Sequence, residues 1–192
     1  MRFALYGGSF DPVHHGHLLL AREALEQFQL DRVIFVPAGL SPHKLATTPA
    51  PASVRREMLA AAIAGEPGFA LDDSELDSDG PSFTIDTVER VRAIHPEAQL
   101  LYLVGADNLR ELHTWRRYDD LCRLVEFVVL GRGEITHPGE GRFRSLERRV
   151  DISATEIRRR VACGQSIRYL VPEPVRALIA AHHLYQDTTH QL

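Results

Sequence analysis

The opening of the chain confines the fold before anything else is known. Phe3–Tyr6 is a short apolar run stopped by Gly7-Gly8, the pattern of a buried strand ended by glycines. From His17 the period changes: Leu18, Ala21, Leu25 and Phe28 recur at helical spacing, which predicts a helix to about Leu30. Val33–Val36 is a β-branched run closed by Pro37 and Gly39, a second strand. Strand, helix and strand in so short a span make a βαβ unit, with parallel strands and a right-handed crossover.

The alternation continues. Ser53 is placed to cap a helix from Val54 to about Ala64, and Phe69–Leu71 reads as a strand. Thr84–Ile94 is helical, and Leu100–Val104 is a strand stopped by Gly105. Asn108–Leu124 is helical with a break near Trp115, and Phe127–Leu130 is a further strand. Arg148–Ile152 is expected to be the last strand; Ser153 then begins a helix, and another starts around Pro174, an N-terminal position that suits proline. Ala38–Ala52 and Glu134–Gly141 read as loops, the first long enough to suggest a function. This order gives an α/β fold with a mainly parallel sheet, expected as one domain over 1–192 with a C-terminal helical part from about 153 to 185.

Composition removes several classes of function. With 22 Lys+Arg against 26 Asp+Glu the net charge is −4, which excludes a generally basic nucleic-acid binder. No stretch approaches the roughly 18 apolar residues of a membrane helix, and the N-terminal apolar run is too short for a signal peptide. The two cysteines, Cys122 and Cys163, lack metal-ligand spacing, so neither a disulfide framework nor structural zinc is expected. A cytoplasmic location follows. Lys44 is the single lysine among the cationic residues.

Two segments carry chemistry. Gly7-Gly8-Ser9-Phe10-Asp11-Pro12-Val13-His14-His15-Gly16-His17 joins the first strand to the first helix. In a parallel sheet that turn lies at the carboxyl edge, where ligands bind. Glycines admit close backbone approach, the helix start favours anions, and His14 and His17 can reach one phosphate chain. Neither a dinucleotide fingerprint nor a Walker loop is present. The plainer reading is a glycine turn with partly exposed histidines. In the second segment, Ser153-Ala154-Thr155-Glu156 is a capping box, which alone accounts for Ser153 and Glu156. Thr155 and Arg158 go further: a hydroxyl in the first turn and a guanidinium one turn later can face the same anion.

The first segment resembles the signature of the nucleotidylyltransferase superfamily, with His14-His15-Gly16-His17 as its HxGH motif. Ile152-Ser153-Ala154-Thr155-Glu156-Ile157-Arg158 is similar to the superfamily's ISSTxIR. Other segments resemble one branch, the bacterial nicotinate mononucleotide adenylyltransferases. They are Ser41-Pro42-His43-Lys44 (PPHK), Pro81-Ser82-Phe83-Thr84 (PSYT), Gly105-Ala106-Asp107 followed by Trp115 (GxD…W), and Leu170-Val171-Pro172-Glu173-Pro174-Val175 with His183-Leu184-Tyr185 (LLPExV…GLY). Ser41, Phe83 and His183 depart from that pattern.

The resemblance implies a Rossmann-like three-layer α/β/α fold and transfer of AMP from ATP to nicotinate mononucleotide, with pyrophosphate released. It implies catalytic roles for His14, His17, Lys44 and Arg158. ATP would be held by Gly7, Gly8, Ser9, Phe10, His17, Gly105, Asp107, Ile152, Ser153, Thr155 and Arg158, and the acceptor by Lys44, Phe83, Thr84, Trp115 and Arg132. Mg²⁺ is expected on the ATP phosphates, with no dedicated metal ligands from the protein. Each residue keeps a plainer alternative: Lys44 a surface charge, Trp115 a core aromatic, Thr84 and Asp107 helix caps. The attacking group is already an anionic phosphate oxygen, so neither a carboxylate dyad nor an active cysteine is expected. Rival readings are adenylyl or cytidylyl transfer to another phosphorylated acceptor, such as the amidated mononucleotide or phosphopantetheine, and a catalytically silent nucleotide-binding regulator. Monomer and homo-oligomer both remain open.

Overall fold

The computed structural model describes residues 1–39, 49–77, 80–131 and 142–186. Its elements are β1 (Arg2–Gly8), α1 (His15–Gln27), β2 (Arg32–Pro37), α2 (Ala52–Ile63), β3 (Phe69–Leu71), α3 (Thr84–Ile94) and β4 (Gln99–Gly105). A 3₁₀ turn (Leu109–Thr114), α4 (Tyr118–Leu124), β5 (Glu126–Leu130), β6 (Phe143–Leu146), α5 (Ala154–Ala162) and α6 (Glu173–Ala181) complete them. The six strands form one sheet in the order β3-β2-β1-β4-β5-β6. Every pairing is parallel, so the sheet is wholly rather than mainly parallel among the described residues.

Alternation along each strand sends side chains to two separate cores. On one face Ala4, Tyr6, Phe35 and Leu103 pack with Ala21 and Ala24 of α1, Met58 and Leu59 of α2, Ile157 of α5 and Ile179 of α6. On the other, Phe3, Leu5, Tyr102 and Phe127 pack with Ile85 and Val88 of α3 and Leu121 of α4. Helices thus cover both faces, giving the three-layer Rossmann-like arrangement. Each fully buried large side chain, such as Phe35 or Phe127, contributes about 2–3 kcal/mol. The chain runs outward from β1 to β3, then returns to lay β4 on the other side of β1. The resulting switch point opens a crevice at the carboxyl ends of β1 and β4, where Gly7, Gly8 and Gly105 lie.

Three boundaries differ from the sequence expectation. Helix α1 starts at His15 rather than His17. Ser53 does not cap α2: the helix begins at Ala52 after Pro51, whose ψ of 142° is extended. Its start is fixed instead by Asp11 Oδ1 accepting from the Ala50 N–H and by the helix's own Arg55, whose Nε donates to the Ala50 carbonyl. The last strand is Phe143–Leu146, not Arg148–Ile152. Phe143 stacks on Phe127 with ring centroids 5.3 Å apart, and Leu146 is fully buried. Val150 and Ile152 line the crevice from an irregular segment instead.

The acidic stretch from Glu66 is explained by its partners. Glu66 pairs with Arg22 of α1, Asp72 with Arg90 of α3, and Asp73 and Asp77 with Arg56 of α2. Each such partly exposed pair is worth little alone, about 0–1 kcal/mol. Together they tie the segments flanking β3 to helices on both sides of the sheet.

Candidate functional site

Two hollows share the walls Gly7, Gly8, Ser9, Ala38, Gly105 and Asn108, so they are two lobes of one cleft meeting over the glycine loop. The larger encloses ≈ 550 Å³ and carries His14, His17, Asp107, Ser153, Thr155 and Arg158. The smaller encloses ≈ 380 Å³ and carries Phe83, Thr84, Tyr102 and Trp115. Gly7 separates them without a side chain for a steric reason: a Cβ there would stand 2.2 Å from the Tyr102 hydroxyl.

In the histidine lobe the two imidazoles stack, with centroids 3.7 Å apart and planes 24° from parallel. The backbone N–H of His14 donates to His17 Nδ1 at 3.2 Å. That bond makes Nδ1 an acceptor, so neutral His17 carries its proton on Nε2 and is a donor there. The edges of Phe10 and Tyr6 flank the ring, with centroids 5.0 and 6.0 Å away. His14 is buried, and its Nδ1 has no hydrogen-bond partner among the described residues. Gly16 makes room for it, because a Cβ there would lie 2.9 Å from that nitrogen.

Burial, with the neighbouring His15 charge second, pushes the His14 pKa down to about 4. The unfolded chain, with a histidine pKa near 6.5, therefore binds more protons than the native one between these values. Stability is fully present above about pH 6.5 and declines as pH falls toward 4, with a slope of up to about 1.4 kcal/mol per pH unit. Urea unfolding across that range is expected to show this slope, and His14→Asn is expected to flatten it by about one proton. An unchanged slope in the variant would assign the proton uptake elsewhere.

The two sequence segments meet in space. Arg158 Nη1 donates to the Asp11 carbonyl at 2.7 Å and Nη2 to Thr155 Oγ1 at 3.3 Å, so the hydroxyl and guanidinium do share one wall. Ser153 is the cap of α5, its Oγ accepting from the Glu156 N–H at 3.2 Å, and it lines the lobe as well. Asp107 is exposed and caps no helix. Gly105 and Ile152 lie on the lobe wall.

Sequence reasoning missed three polar residues behind this wall. Arg55, only 3% exposed, donates from Nε to the Ala50 carbonyl at 3.1 Å, and from Nη1 to the carbonyls of Ser9 at 3.0 Å and Ala38 at 2.7 Å. Asp11 is buried, and its Oδ1 also accepts from the Tyr185 hydroxyl at 2.6 Å. The end of the chain thereby latches onto the glycine loop.

In the aromatic lobe Trp115 meets Tyr102 edge-on at 5.7 Å, leaving its remaining surface on the cleft wall. Thr84 is the first residue of α3 and makes no capping bond; its Oγ1 lies 3.4 Å from the Tyr102 hydroxyl instead. Burial pushes the Tyr102 pKa up to about 12, so it stays a neutral phenol. In the first turn of α3 the Asp86 N–H donates to the Phe83 carbonyl at 3.0 Å, while those of Thr84 and Ile85, ahead of the helical ladder, have no intrahelical partner. Lys44 and Arg132 lie outside the described residues. Among the described residues no three His, Cys, Asp or Glu side chains are grouped to hold a metal, and no helix is long and apolar enough to cross a membrane.

The arrangement supplies neutral and cationic donors to a polyanion on one side and an aromatic, hydrogen-bonding slot on the other. Comparison with known proteins agrees. Residues 5–160 match the cytidylyltransferase-like family model. A protein of Exiguobacterium sibiricum named "Probable nicotinate-nucleotide adenylyltransferase" is 42% identical over 188 residues, covering 96% of this chain and 99% of its own. One of the same name from Thermus thermophilus is 42% identical over 191 residues, covering 97% and 100%. The solved Plasmodium falciparum nicotinic acid mononucleotide adenylyltransferase complexed with NaAD superposes with a TM-score of 0.79 at 19% identity, covering 96% of this chain and 97% of that one; this likeness is one of fold. With its fold, both motifs and nearly its whole length accounted for, the chain belongs to the cytidylyltransferase-like family and, within it, to the nicotinate-nucleotide adenylyltransferases.

Proposed function

We propose that the protein transfers AMP from ATP to the 5′-phosphate of nicotinate mononucleotide, releasing pyrophosphate and the deamido dinucleotide. The observation that carries this reading is the pair of lobes meeting at Gly7–Ser9. A triphosphate beside the histidines and a pyridine ring beside Trp115 would bring their reacting phosphates together over the glycine loop.

An acceptor phosphate oxygen attacks the α-phosphorus, a P–O bond forms, and the bond to the β-phosphate oxygen breaks in line. The attacking oxygen is already anionic, so no proton must be removed. Catalysis then rests on positioning and on donors placed where charge grows. His17 Nε2 donates to the phosphate chain, and His14, stacked beneath it on the same wall, is assigned to the same phosphates. Arg158 brings fixed charge and Thr155 and Ser153 lesser contacts; Lys44 is assigned a second charge on the phosphates. Gly7, Gly8, Ser9, Phe10, Gly105, Asp107 and Ile152 shape the nucleotide side. Phe83, Thr84, Trp115 and Arg132 are assigned to the acceptor. Trp115 offers a face for the pyridine, and the α3 N-terminus attracts the nicotinate carboxylate.

A phosphate-bound Mg²⁺ suits a lobe whose carboxylates are Asp11, already engaged, and the exposed Asp107. When bound, it would neutralise charge on the triphosphate. A cytoplasmic location and a single domain over 1–192 belong to the same reading.

Pyrophosphate release from ATP and Mg²⁺, measured with nicotinate mononucleotide and its amide side by side, tests it. A large preference for the acid and loss of release with EDTA are expected. Equal rates would keep adenylyl transfer but overturn the acceptor; no release with either would point to another acceptor or to a silent binder.

A further inference from the structure

We propose that Arg116 sets the acceptor's charge preference: its guanidinium, laid over Phe83 beside the α3 N-terminus, binds the carboxylate of a pyridine acceptor and favours acid over amide. The inference rests on the aromatic lobe being the acceptor site.

Among the described residues Arg116 is the one cationic side chain lining that lobe. Its guanidinium carbon stands 4.6 Å from the centre of the Phe83 ring. Phe83 is the residue on which α3 starts, so the cation lies next to the N-terminus of that helix. A stacked guanidinium is held by its face while its N–H edge stays available to a planar carboxylate.

The edge is only loosely engaged by the protein. Arg116 makes no side-chain hydrogen bond to a described residue, and its ion partner is Asp86 at a long 3.7 Å. Both side chains of that pair are more than half exposed, 53% and 57%, so a ligand carboxylate can compete for the guanidinium. The rest of the lobe's charge opposes an acid: Glu75 and Glu111 also line it. Burial raises the Glu75 carboxyl above its ordinary range, which eases that opposition without reversing it. Arg116 is the group whose charge gives the acid an advantage over the uncharged amide.

The test measures kcat and KM for both mononucleotides with the wild type, Arg116→Gln and Arg116→Lys. Arg116→Gln is expected to lower kcat/KM for the acid about tenfold, the scale of one partly exposed charge-assisted contact, mainly through KM. The acid-to-amide ratio should fall by the same factor. Arg116→Lys is expected to restore part of the ratio, because it keeps the charge and loses the planar fork. High salt should narrow the wild-type ratio toward that of Arg116→Gln.

An unchanged ratio in Arg116→Gln overturns the proposal. If both acceptors lose activity together, Arg116 merely supports the Phe83 wall; if neither does, it is a surface charge. A wild type that uses neither acceptor would instead remove the reading of the lobe itself.

Discussion

His17→Ala is expected to lower kcat by about 10²–10³, the loss seen when one preorganised transition-state donor is removed. The magnitude follows from how tightly the donor is prepared before any ligand arrives. The His14 N–H holds Nδ1 at 3.2 Å, which settles the tautomer; Phe10, Tyr6 and the His14 ring hold the plane. Little reorganisation is then needed as charge builds on the phosphates. Alanine is the best helix former, and His17 lies in the first turn of α1 with its own N–H donating to the His14 carbonyl at 3.0 Å. The helix should therefore persist, and unfolding curves should move little. KM for ATP should rise much less than kcat falls, because the interaction strengthens in the transition state. Near-normal turnover would remove His17 from the chemistry and leave it as an aromatic filler beneath the glycine loop.

The parts of this site written locally in the sequence were the legible ones. The glycine loop and the Ser153 segment each declare a strand end or helix start within a few residues, and their chemistry follows from that placement. Arg158 donating to the Asp11 carbonyl, 147 residues away in sequence, follows only from the topology that folds α5 back over β1. Strand β6 was obscured because its four residues, Phe-Arg-Ser-Leu, bury one large side chain on each face and show no periodic run; the β-branched Val150 and Ile152 looked more strand-like and serve the cleft instead. The arginine partners of Glu66, Asp72, Asp73 and Asp77 lie on three different helices, so no local pattern announces those pairs. Arg55 and Arg56 show the limit most plainly. Adjacent and identical in type, one is buried under the glycine loop and the other pairs with Asp73 and Asp77 on the surface. The signal that separates them is helical spacing: Arg55 stands three and four residues before the buried Met58 and Leu59, whereas Arg56 has Leu59 at one of those positions and the exposed Ala60 at the other.

That buried position makes Arg55→Ala the variant expected to damage the fold most, by about 3 kcal/mol. The guanidinium joins three chain segments through their carbonyls: Ser9 in the glycine loop, Ala38 after β2, and Ala50 before α2. None of these segments is held there by regular secondary structure. Removing the donor leaves three carbonyls without it, each worth about 1–3 kcal/mol if left dry. The histidine lobe borders Arg55, so water can reach some of them, and the sum falls well short of additivity. For a chain of this size the loss should lower Tm by roughly 6–12 °C in calorimetry. Arg55→Met separates the two contributions, since it refills most of the volume and restores no hydrogen bond. If Met recovers the wild-type Tm, packing was what Arg55 supplied. If it unfolds near the alanine variant, and Arg55→Lys recovers only part of the loss, the forked donor is what holds the loop. The same variants should then raise KM for ATP even well below their Tm, because Ser9 and the glycines around it form the wall that both lobes share.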